Sequence, residues 1–96
     1  MTETSINYAK ALYELSVPEE AVLETEKIFR STPQLKGALE NPLVSLKEKE
    51  HVIDRVFPQE MKNFLKVTCK YQKISSIYDI LEAYGNYSRK QKGILK

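Results

Sequence analysis

The side chains that could do chemistry are few: one histidine, His51, one cysteine, Cys69, and the glutamates Glu19, Glu20, Glu24 and Glu26. Zinc of the usual kind needs several His or Cys ligands, which a single residue of each type cannot supply. As a general base, His51 would have to face a reacting group. At ~100° per residue it instead lies about 140° from Leu46, on the polar side of its helix. Cys69 has no partner for an internal disulfide, and the residues beside it offer lysines rather than the base a nucleophile requires. It borders an apolar face and reads as a small core residue. The glutamates read as a solvated helix face. There is no G-x-x-x-x-G-K-[S/T], G-x-G-x-x-G or C-x-x-C, hence no phosphate cradle, dinucleotide fingerprint or redox pair. The sequence predicts no enzyme, cofactor, metal or small-molecule substrate.

What remains is binding, and charge limits the partner. The chain of 96 residues carries 15 Lys plus Arg against 13 Asp plus Glu, a net charge of +2. Arg89, Lys90, Lys92 and Lys96 put four positive charges and no acid into the last eight residues, so the body is slightly acidic. A nucleic-acid footprint would cluster cations over a folded face. The alternative reading of that kind would use Lys62, Lys66 and Lys70 with the basic tail. A hydrophobic fraction of 42% and a charged fraction of 29% are those of a globular chain, and no run approaches the ~18 apolar residues of a membrane span. With one cysteine and no signal-peptide core at the N-terminus, the pattern is expected of a water-soluble chain in a reducing compartment.

The elements that position these residues are helices. Glycine occurs only at 37, 85 and 93, and no alternating run of β-branched residues suggests a strand. A first helix is expected over 5–15. A second starts at Pro18 and runs to about Arg30, with Glu19 and Glu20 complementing its N-terminal dipole. A third covers Pro33 to Glu40 and stops at Asn41 and Pro42. Ser45 with Glu48 forms a capping box that opens a fourth, ending near Phe57. A fifth runs from Pro58 to about Gln72. Ser75 or Ser76 caps a sixth that reaches about Ser88, with Gly85 as its weak point. The expected fold is an all-α, compact six-helix bundle over 1–88, followed by a basic tail over 89–96.

Helical wheels separate scaffold from candidate site. A helix packing one face into a core needs an apolar stripe of roughly 100° or a little more. The fourth helix places Leu46, Val52, Ile53, Val56 and Phe57 within about 140°, and the sixth collects Ile77, Ile80, Leu81, Ala83, Tyr84 and Tyr87 within about 160°. Both fit a core face. On the fifth, the residues from Met61 to Tyr71 sweep about 200°, and on the first those from Ile6 to Leu15 cover about 220°. Either these two helices are covered on two sides, or one edge of each stays open. The open edges would be Tyr8, Ala11 and Leu15 on the first and Phe64, Val67 and Tyr71 on the fifth. An apolar groove between two helices receives an amphipathic partner helix.

The same segments resemble a known family. Tyr8, Ala9, Lys10, Ala11, Leu12, Tyr13, Glu14 and Leu15 are similar to the Y-A-K-A-L-[FY]-E-L opening of ATP synthase delta subunits. The mitochondrial counterpart of that family is the oligomycin-sensitivity-conferring protein. Residues 41–49, N-P-L-V-S-L-K-E-K, continuing through Val52, Ile53 and Phe57, resemble the family's N-P-L-[IV]-x-L-x-E-K and the apolar helix after it. Asn63, Phe64, Leu65 and Lys66 resemble its N-F-L-K segment, and Leu81, Tyr84, Gly93 and Ile94 also fall where the family places similar residues.

The resemblance implies a six-helix domain on the catalytic head of an F-type ATP synthase. There it would bind the N-terminal helix of an alpha subunit in a groove between its first and fifth helices. A second domain of the family joins the b subunits of the peripheral stalk, so the head is held still while the rotor turns during proton-coupled ATP synthesis. By motif position Tyr8 and Ala11 match one wall and Phe64 and Val67 the other, while Leu15 and Tyr71 come from the wheels. The implied location is peripheral, on the cytoplasmic face of a bacterial membrane. Two departures stand out. Lys70, Tyr71, Gln72 and Lys73 replace an E-N-G-R-like turn, which predicts a longer fifth helix or a changed turn. The chain also ends at Gly93, Ile94, Leu95 and Lys96, where relatives continue into the second domain. That ending is expected to be the start of an absent segment.

Overall fold

The computed structural model describes residues 3–91. Its six α-helices are α1 (Glu3–Glu14), α2 (Glu19–Ser31), α3 (Pro33–Glu40), α4 (Leu46–Val56), α5 (Gln59–Lys70) and α6 (Ile77–Gln91), with a 3-10 turn at Ile74–Ser76 before the last. Among the described residues there is no strand. The class is all-α, with the helices in the order the punctuation predicts.

Local chemistry explains the boundaries. Pro18 and Pro58 sit one residue before their helices, as N-caps of α2 and α5, while Pro33 occupies the first turn of α3. The carbonyls of Pro18 and Pro58 accept from the N–H groups of Ala21 and Met61, both at 3.0 Å. Ser45 Oγ accepts from the Glu48 N–H at 3.2 Å, the N-cap half of the expected box. Two ends differ from expectation. Helix α6 continues to Gln91, so Arg89 and Lys90 belong to its last turn, where cations complement the dipole. The tail residues Lys92, Gly93, Ile94, Leu95 and Lys96 lie outside the described residues. Helix α5 stops at Lys70 rather than near Gln72, because Gln72 takes the left-handed conformation, φ 59°.

The chain divides into two compact units: α1 with α6, and Pro18–Ser75 with α2 to α5. In the first, α1 packs along α6. Ala9 and Leu12 are buried on α1, and Ile77, Ile80, Leu81, Ala83 and Tyr84 on α6. Tyr13 meets the Tyr87 ring edge-on at 5.2 Å and 83°, with Tyr84 at 6.4 Å. Such aromatic pairs add about 0.5–1.5 kcal/mol beyond their burial.

In the second unit α4 packs on α5, and α2 on α3 and α5. Phe29, Ile53, Met61 and Leu65 are fully enclosed, and the rings of Phe29 and Phe57 lie 4.9 Å apart. The buried hydroxyls of Thr25 and Thr68 donate to the carbonyls of Ala21 (2.9 Å) and Phe64 (2.7 Å), one turn back, which removes the cost of burying them. The core line of α4 differs from the one its wheel suggests. It runs through Lys49, Ile53 and Phe57, spaced by four, while Leu46 and Val56 are 38% and 39% exposed. A wheel finds the centre of an apolar arc, but the packing of α4 on its neighbours decides which flank is covered. Here that flank includes a lysine stem.

Candidate partner-binding faces

Tyr8, Ala11 and Leu15 follow the i, i+3, i+7 spacing, so they share one line on α1 within about 60°. Their neighbours Ala9 and Leu12 are buried; Tyr8 is half-buried, Ala11 exposed, and Leu15 58% exposed. Leu15 caps the end of the helix, its N–H donating to the Ala11 carbonyl at 3.1 Å, and Ser16 beyond it takes φ 59°. The turn therefore fixes the Leu15 backbone where α1 stops.

Phe64, Val67 and Tyr71 repeat that spacing on α5, in the other unit. Met61, Leu65, Thr68 and Cys69 take the inner side of the helix. Phe64 is also covered, at 6% exposure, whereas Val67 and Tyr71 are 46% and 58% exposed. The Lys70 ammonium lies 5.7 Å from the Tyr71 ring centroid, a cation–π contact that orients the ring. The structure thus gathers the six residues into two lines, one on each helix. Ala11 and Leu15 on the first line and Val67 and Tyr71 on the second are open to solvent.

The cations near α5 are partly engaged. Lys66 Nζ pairs with Asp54 Oδ1 at 2.9 Å across α4 and α5, and Lys62 Nζ donates to Gln59 Oε1 at 3.2 Å. The Lys66 hydrogen bond holds the Asp54 carboxyl below its ordinary value; desolvation acts against it, and the charges of Lys66, Lys62 and His51 add to the lowering. His51 is exposed and Cys69 buried, each where the wheel put it. Burial pushes the Cys69 thiol up to about 11, which keeps it protonated and unreactive.

Two features escaped the sequence reading. Leu43 is 92% exposed, held on a turn in which Asn41 Oδ1 accepts from the Leu43 N–H at 2.9 Å. The Asn41–Pro42 pair signals such a turn, but not the exposure of the residue after it. The other is Lys49, 8% exposed in a helix whose remaining lysine, Lys47, is solvated. Its i, i+4 spacing from Ile53 was the available signal.

Among the described residues, no helix is long and apolar enough to cross a membrane. The sequence profile of the ATP synthase delta (OSCP) subunit family matches residues 5–96. ATP synthase subunit delta of Clostridioides difficile (strain 630) is 31% identical over 100 residues, covering 92% of this chain and 55% of that protein. The delta subunit of Protochlamydia amoebophila is 30% identical over 103 residues, covering 96% of this chain and 57% of that protein. A chloroplastic delta subunit from Trieres chinensis is 29% identical over 90 residues, with 82% and 48% covered. The chain therefore spans about half the length of the curated relatives it matches. No solved structure matches it significantly. With a profile match over nearly every residue and delta subunits among its relatives, the chain belongs to the ATP synthase delta (OSCP) subunit family.

Proposed function

We propose that this chain is a stator adaptor of an F-type ATP synthase, in which the Tyr8–Ala11–Leu15 and Phe64–Val67–Tyr71 lines together form the groove for the N-terminal helix of an alpha subunit. Family members are non-catalytic subunits, which agrees with a chain whose lone thiol is buried and whose lone imidazole is a surface residue. The observation that carries the groove is the exposure of Leu15, Val67 and Tyr71, at 58%, 46% and 58%, on the two helices whose apolar arcs exceed what one core face needs.

In this reading Val67 and Tyr71 offer the open apolar surface of the α5 line, while Phe64 on the same line is largely covered. Small Ala11 lets the partner backbone approach, and Tyr8 supplies an aromatic anchor. Affinity comes mainly from apolar burial, at ~25 cal/mol per Å² before ordering costs. The domain holds the head side of the stalk. Contact with the b subunits is assigned to the part of the longer relatives that this chain does not match. The location that follows is peripheral, on the membrane face that carries the catalytic head.

The test is an amide-shift titration with the N-terminal peptide of the cognate alpha subunit at low and high salt. Saturable shifts at Tyr8, Ala11, Val67 and Tyr71 that change little with salt support the groove. Shifts confined to Lys62, Lys66 and Lys70 that vanish with salt would overturn it, since steep salt dependence marks phosphate-backbone binding.

A further inference from the structure

A cleft of about 260 Å³ lies wholly within the α2–α5 unit, and the groove reading makes no use of it. Leu39 and Ile74 line it with apolar surface, and Glu40, Lys49, Gln72 and Ser75 contribute polar groups. Lys49 is the unusual member. It is 8% exposed, whereas lysine is rarely so covered without a counter-ion. Among the described residues its ammonium makes neither a hydrogen bond nor an ion pair. Every fully buried polar side-chain atom among them has a partner, so the Lys49 ammonium must retain solvent contact while its stem is covered. The cleft that Lys49 lines provides that contact.

The other polar groups sharpen the chemistry. Glu40 is engaged by the Lys36 ammonium, one turn earlier on α3, and so does not cancel the charge of Lys49. Gln72 is placed by the cap of α5 and Ser75 by the 3-10 turn, and their amide and hydroxyl are both donors. A cation with a covered stem and no ion pair of its own, beside two neutral groups that can both donate, is open to an acceptor with negative charge. We propose that this cleft is an oxyanion site, in which the Lys49 ammonium, with the Gln72 amide and Ser75 hydroxyl, takes a single carboxylate or phosphate group. The apolar walls of Leu39 and Ile74 favour an oxyanion carried on a short organic stem over a bare, strongly hydrated ion.

The test titrates the isotope-labelled 96-residue chain with acetate and, separately, with inorganic phosphate, each against chloride at constant ionic strength. Saturable shifts at the amides of Lys49, Gln72 and Ser75 are expected. Saturation by acetate assigns the site to carboxylates, and saturation by phosphate alone assigns it to phosphate esters. Lys49→Met, which keeps the apolar stem, should weaken the response at least tenfold while the rest of the spectrum stays folded. Ser75→Ala, at an exposed position, provides a second reading and should weaken it severalfold. Linear, non-saturating shifts, or a response unchanged in Lys49→Met, would overturn the site. Because the alpha-subunit peptide is absent, failure here leaves the groove reading standing, and failure of the groove leaves this site standing.

Discussion

The N–H of Lys73 donates to the carbonyl of Thr68 at 2.8 Å, and with the Gln72 N–H bonded to the Cys69 carbonyl at 3.0 Å it closes α5 in a Schellman cap. The αL position of that cap is normally glycine, but here it is Gln72, at φ 59°. Without a glycine at this position the helix is not lengthened: it still ends at Lys70, with Gln72 in the left-handed position. The cap also ends the apolar line at Tyr71, the capping residue itself.

Gln72→Gly should relieve the strain of a side chain in the left-handed region. The gain is about 1 kcal/mol, reduced slightly by the greater freedom of glycine in the unfolded chain. In a domain this size that corresponds to a rise of roughly 4–8 °C in melting temperature. Urea denaturation of the two proteins measures it directly. A loss of stability would mean that the glutamine side chain contributes more to the cap than its backbone costs.

Val67→Asp separates binding from folding. Val67 is 46% exposed, so the substitution should alter stability by no more than about 0.5 kcal/mol, as at other surface positions. Affinity for the alpha-subunit peptide should fall at least tenfold, about 1.4 kcal/mol, because the proposed contact would desolvate a carboxylate against an apolar partner face. Loss of cooperative unfolding in this variant would instead make Val67 part of the core.

Cys69 should resist alkylation. Its thiol is raised from 9.0 to about 11, chiefly by burial, with the Lys49 charge pulling it down and the Glu50 charge adding to the rise. At pH 8.5 the thiolate population is then roughly 10²-fold below that of the unfolded chain, and burial slows the reaction further. The folded state binds this proton more tightly than the unfolded one. The contribution of Cys69 to stability is thus fully present below pH 9.0 and lost as pH rises through about 11. Iodoacetamide labelling followed by mass spectrometry should track the unfolded fraction. Rapid labelling of the folded chain would contradict the burial.

Asp54 should titrate below 3.8 in the folded chain, and Lys66→Met should bring it back up. A depressed carboxylate contributes stability that is present above its unfolded value and lost as pH falls through the folded one. Because both partners are partly exposed, with side chains 28% and 48% accessible for Lys66 and Asp54, the shift should also shrink at high salt. Carbon-detected NMR of the Asp54 carboxyl reports it. An unchanged value in Lys66→Met would show that the pair does not persist in solution.

The helix order, the starts marked by Pro18, Pro33, Ser45 and Pro58, and the membership of the family were legible in the sequence by itself. Each depends on a residue and its neighbours within a turn: a missing N–H, a hydroxyl that caps, a short motif in order. Which residues of the over-wide apolar arcs are covered was not legible in that way. Phe64 and Val67 are three residues apart on one helix, yet one is 6% and the other 46% exposed. Only tertiary packing decided that, because burial depends on which surface a distant segment brings against the helix. The same holds for Lys49, whose polar identity suggested solvent while the packing around Ile53 covered its stem. Gln72 is a different case: its left-handed backbone is held by bonds within one turn of α5, but without a glycine the sequence carries no signal for it.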